Sequence, residues 1–99
     1  MSEPPVVISG NVDLNGTEIG NIICANGATT LNISTAKDAE AVIGDSFILM
    51  RDTASAVSVT ADVGITIKSV GSVKTIASQN GGVTVVKIAA SVWWLRGDI

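Results

Sequence analysis

Apolar and polar residues alternate with period two along most of this chain. Leu31-Asn32-Ile33-Ser34, Val57-Ser58-Val59-Thr60 and Ile65-Thr66-Ile67-Lys68 each follow that rhythm. In an extended strand, successive side chains point to opposite faces. Leu31, Ile33, Val57, Val59, Ile65 and Ile67 are therefore expected on a buried face, with Ser, Thr and Asn opposite. Phe47-Ile48-Leu49-Met50 is apolar on both faces, which predicts a strand covered on two sides. Val83-Thr84-Val85-Val86-Lys87-Ile88 and Val92-Trp93-Trp94-Leu95 complete the series.

Turn chemistry separates these runs. Asn-Gly occurs as Asn15-Gly16, Asn26-Gly27 and Asn80-Gly81, and both residues tolerate the positive φ of a tight hairpin turn. Asn26-Gly27 is expected to join Ile19–Ala25 to Thr29–Ser34 as a hairpin. Asn80-Gly81-Gly82 is expected to join Val73–Ala77 to Val83–Ile88. Thr35–Ile43 holds helix formers with acids near its start, so it predicts one helical turn in a crossover between strands, lying over one end of the core. The fold class is all-β: a small antiparallel β-sandwich or jelly-roll-like barrel of about seven to nine short strands. Residues 1–10, with Pro4 and Pro5, read as an extended N-terminal arm, and residues 11–99 as one domain.

Composition shifts the picture toward assembly. The chain of 99 residues is 46% apolar but only 15% charged, against about 25% charged in an average soluble domain. Small domains have proportionally more surface to solvate, so part of this apolar surface is expected to face another chain. No apolar run reaches the roughly 20 residues of a spanning helix, and the Met1–Pro5 start lacks the basic and apolar segments of an export signal. The net charge of −3, with six scattered basic residues, argues against nucleic acid.

Candidate chemistry is sparse. There is no histidine, hence no Ser-His-Asp or Cys-His arrangement and no ordinary zinc or iron site. No catalytic, cofactor or metal residue is expected. The lone Cys24 reads as a small buried thiol, and Asp45, Asp52 and Asp62 as turn and strand-edge acids bonded locally. Arg96-Gly97-Asp98 spells the tripeptide that integrins recognise, yet at a strand end it reads as a solvated bend. Trp93-Trp94 is more informative. Neighbours on a strand face opposite ways, so one indole enters the core, its N–H bonded to a carbonyl, and the other needs a cover. Either can be the contact residue. Trp93, Trp94 and the arm residues Glu3, Pro4, Pro5, Val6 and Val7 are the candidate interface.

The order of these pieces resembles small all-β modules of tailed-phage virion proteins, both capsid decoration (cement) proteins and tail-fibre domains. The resemblance runs from about Gly20 to Ile99. Its parts are the apolar strand, turn and Thr-rich strand of Asn21–Ser34, then the step Val42-Ile43-Gly44-Asp45-Ser46-Phe47-Ile48. Val57–Ile67, Gly82–Ile88 and Trp93–Asp98 follow. Fibre proteins carry long repetitive stretches, and the brevity of this chain turns the expectation toward decoration. The resemblance then implies a virion protein made in the host cytoplasm and seated on the outer capsid surface. Its partners would be itself, as dimer or trimer, and the major capsid protein, with no nucleic acid and no membrane. A tail-fibre or spike module binding a host glycan or receptor is the alternative.

Overall fold

The computed structural model describes residues 6–14 and 19–99. Among them one long strand, β2 (Ile22–Ile33), organises the sheet. β1 (Val6–Asp13) runs parallel along one side of it. On its other side, β3 (Ser46–Arg51) pairs parallel with residues 22–25 and β4 (Val57–Ala61) pairs parallel with residues 29–33. β3, the loop after it and β4 thus make a single pass that follows β2. The loop is bonded too: Asp52 N–H donates to Ala25 O (3.1 Å) and Thr29 N–H to Ala56 O (3.0 Å). β6 (Gly82–Ala89) is antiparallel to β3, β7 (Val92–Gly97) is antiparallel to β6, and β5 (Thr66–Lys68) lies parallel to β7 at the far edge.

The result is an all-β fold of seven strands in one sheet that curls into a half-barrel. The all-β expectation and the strand number hold. The pairing is mixed rather than antiparallel, because β1, β2 and the β3–β4 pass all run the same way. Parallel neighbours need crossovers. α1 (Thr35–Glu40), capped by the Ser34 hydroxyl accepting from Lys37 N–H (3.2 Å), is the one between β2 and β3. That short helical crossover is where the sequence placed it.

Asn26-Gly27 makes no hairpin. Gly27 (φ 117) sits inside β2 at a bulge, where residues 25–29 of β2 span the same distance as Ile8–Gly10 of β1. Partners on both sides hold the chain extended through this point, so Asn-Gly bends the strand instead of reversing it. The Asn80 turn (φ 67) does form, but Val73–Ala77 pairs with β4, not β6. Val59 N–H donates to Lys74 O (2.9 Å) and Ile76 N–H to Val57 O (3.0 Å). The second half of the expected arm, from Val6 onward, is strand β1; Glu3, Pro4, Pro5 and the Asn15-Gly16 turn lie outside the described residues.

The concave face holds the core. Ile23, Leu31, Ile33, Phe47, Leu49, Val57, Val59, Val85, Trp93 and Leu95 are all buried there, with Ile67 among them and Ile65 packed half-buried beside it. One polar cluster closes the end of this core. The Asp38 carboxylate of α1 accepts from Trp93 Nε1 (2.8 Å) and Ser91 Oγ (3.0 Å) and lies 3.4 Å from Lys87 Nζ. Lys87 also donates to the carbonyls of Asp38 and Ala41. The buried indole N–H therefore meets a carboxylate, not the expected carbonyl.

Candidate docking face

Register fixes which side chains share the convex face, since residues directly opposite in neighbouring strands point the same way. One row is Ile22–Ile48–Thr84–Arg96, the next is Ser46–Val86–Trp94–Lys68, and a third joins Val7, Cys24 and Met50. Ile22, Ile48, Met50 and Trp94 are each 38–44% exposed. Val7 is freely exposed, and Cys24 and Val86 are half-buried among them. β3 is therefore covered on its concave side only, contrary to the expectation from its doubly apolar sequence. Apolar side chains of five strands make a continuous patch, and a soluble monomer rarely leaves more than a few hundred Å² of such surface open.

Positive charge gathers at one margin of this patch, and the Asp52 carboxylate lies beside Cys24. The Arg96 guanidinium lies 5.2 Å from the centre of the Trp94 ring, within cation–π range, and Lys68 ends the same row as Trp94. The two indoles divide as strand geometry requires. Trp93 is fully buried and packs at 6.3 Å from the Phe47 ring, so it is withdrawn as a contact residue, while Trp94 takes the outward place.

Beyond the bulge the same convex surface becomes polar. Asn11, Asp13, Thr30, Asn32 and Thr60 line a groove of about 300 Å³ across β1, β2 and β4. Asn32 Nδ2 donates to Asp13 Oδ1 (3.1 Å) and Asp62 Oδ1 (2.9 Å), while Asn32 Oδ1 accepts from Thr60 Oγ1 (3.0 Å). Asp62 also accepts from the Thr35 N–H and hydroxyl, and these hydrogen bonds hold its carboxyl below the ordinary value. This groove was not singled out in the sequence. Its signal was the run of Asn, Asp and Thr at alternate positions of three strands.

The remaining candidates have local partners. Asp45 Oδ2 accepts from Val42 N–H (3.0 Å). Asp98 Oδ2 accepts from Ser78 N–H (3.1 Å), so the Arg96-Gly97-Asp98 segment is tied into the fold at both ends. Cys24 is half-buried on the convex face rather than in the core. Desolvation there, together with the nearby Asp52 carboxylate, pushes its thiol up and keeps it protonated. Among the described residues no three acids, cysteines or histidines gather as a metal would need. No family model, curated protein or solved structure matches this chain.

Proposed function

We propose that this chain is a non-enzymatic structural protein of a phage particle, a capsid decoration module that seats its apolar convex face on the outer shell. The observation that carries this is the continuous apolar patch around Ile48, Met50 and Trp94, left open on the convex face of the sheet. Burying apolar surface yields about 25 cal/mol per Å², and an aromatic anchor surrounded by aliphatics is the composition of interface hot spots. The basic margin at Arg96 and Lys68 favours a partner surface that is neutral or acidic there. A protein that binds only the assembled shell stabilises it by mass action, and the resemblance to virion modules supplies the context.

Electron microscopy of purified particles carrying the chain tests this directly. Density for the chain on the outer capsid, lost with Met50→Lys while the isolated variant melts as the parent does, is the expected result. Density only on the tail, or none on the particle, refutes it. The polar groove favours a second reading, a glycan-binding fibre module. A glycan array showing specific binding abolished by Asn32→Ala and untouched by Met50→Lys would select that reading instead.

A further inference from the structure

The strand edges of this sheet are unequally guarded. β5, at one end, is only three residues long and carries Lys68. The outer edge of β4 is taken by the Lys74–Ile76 segment, bridged at Ser58 and Thr75. β1, at the other end, is eight residues long, and among the described residues it pairs with β2 alone. Leu14 N–H donates to Asn32 O (2.7 Å), so alternation turns the main-chain groups of Asn11 and Asp13 away from β2. Its only charge is Asp13, at its very end. Long, uncharged, unpaired edges are templates for another strand, and proteins that must stay monomeric usually protect them with lysine, proline or a cover.

The shape of β1 says which strand fits. Gly10 (φ 75) bends it halfway along, at the level where β2 bulges. A straight strand cannot follow that edge through the bend, whereas a second β1 bends at the same residue. We propose that β1 is a homodimerisation edge, two copies pairing antiparallel about a two-fold axis at Gly10 and joining both sheets into one. In that register Ile8 of each copy faces Val12 of the other, extending the half-buried rim of the core. Ser9 faces Asn11, and each Asp13 meets Val7, so the two carboxylates stay at opposite ends. The pairing uses the main-chain edge of β1, sharing only Val7 with the apolar face, and stands or falls separately from the docking of that face.

Light scattering and sedimentation of the full chain should give twice its 10.0 kDa mass. Ser9→Lys and Asn11→Pro should each give the monomer with an unchanged β-sheet spectrum, and Ile48→Lys should leave the dimer intact. In a Cys24→Ser background, a mixture of Ser9→Cys and Asn11→Cys chains should oxidise to the mixed disulfide in preference to either homodimer, because opposed Cβ atoms lie about 4.5–5.5 Å apart. A monomeric parent at every concentration would overturn the proposal. So would a dimer that survives Ser9→Lys but dissociates with Ile48→Lys, or disulfides that form without preference for the mixed pair.

Discussion

Removing either member of the buried Asp38–Lys87 pair should cost far more than removing both. At 3.4 Å separation, the gross attraction is about 5 kcal/mol at an effective dielectric constant of about 20. Desolvation offsets most of it, at several kcal/mol per ion. The pair is therefore worth little relative to an apolar replacement, but either charge left alone is stranded beneath α1. Asp38→Asn keeps an acceptor for Trp93 but turns an NH2 donor toward the Ser91 hydroxyl and leaves the ammonium with carbonyls only; Lys87→Met fills the stem volume and strands the carboxylate. Each single change should destabilise by about 3–5 kcal/mol, a drop in Tm on the order of 15–30 °C for a domain this size. The double variant should cost less than either single, so that more than one single's whole loss, about 3–5 kcal/mol, is recovered from the sum. Urea titrations of all four proteins, read as a double-mutant cycle, measure this. Singles that cost under about 1 kcal/mol, or losses that add within about 0.5 kcal/mol, would refute it.

Other consequences follow from the same geometry. Arg51 donates to the carbonyls of Thr53, Ala54, Ile76 and Ala77, clamping the Val73–Ala77 segment to the end of β3 and the loop after it; Arg51→Met should cost about 1.5–3 kcal/mol and speed hydrogen exchange at the Ile76 amide. Gly97 has φ 135, and a Cβ there would lie 2.5 Å from Gly82 O, so Gly97→Ala should lower stability by at least about 1–3 kcal/mol in thermal melts. Burial raises the Asp38 pKa, but the hydrogen bonds from Trp93 and Ser91 and the Lys87 charge outweigh it, and the net shift is downward. A folded pKa below the unfolded value of about 3.9 means the stabilisation is complete above that pH and is lost as pH falls through the folded value. Melting curves from neutral pH into that acid range should therefore fall less steeply for Asp38→Asn than for the parent.

How far the sequence could be read depended on how local the determining partner was. Alternation alone placed Leu31, Ile33, Val57 and Val59 inside, because burial on one face needs no knowledge of strand order. Asn26-Gly27 misled because its conformation is decided by β1 and the β3–β4 pass, which arrive from distant parts of the chain. The Asp38 cluster joins residues some 50 positions apart, and Asp38 by itself looks like an ordinary first-turn acid. A clue was nevertheless present: Val83, Val85 and Lys87 share one strand face, so a lysine on the core side demanded a buried acceptor. Which indole turned outward was likewise undecidable until the register of β6 against β7 set Trp93 opposite Lys87.

The bulge in β2 divides the convex surface into two halves with opposite needs. Past the bend, Asn32 satisfies Asp13, Asp62 and Thr60, so that half is complete in water. Before the bend, Ile22, Ile48, Met50 and Trp94 have no such recourse, and only a partner can remove them from solvent. A two-fold axis normal to the sheet at Gly10 would leave the apolar halves of both copies on the same side. Edge pairing would then turn one weak apolar contact into a two-point attachment, and two-point attachment raises apparent affinity by about 10²–10⁴ without any new contact. The monomeric Ser9→Lys variant, with its apolar face intact, should accordingly bind particles more weakly than the parent by a factor in that range, and release from them faster on dilution. Equal binding by monomer and parent would mean that the apolar face acts alone and that the edge contributes nothing to seating.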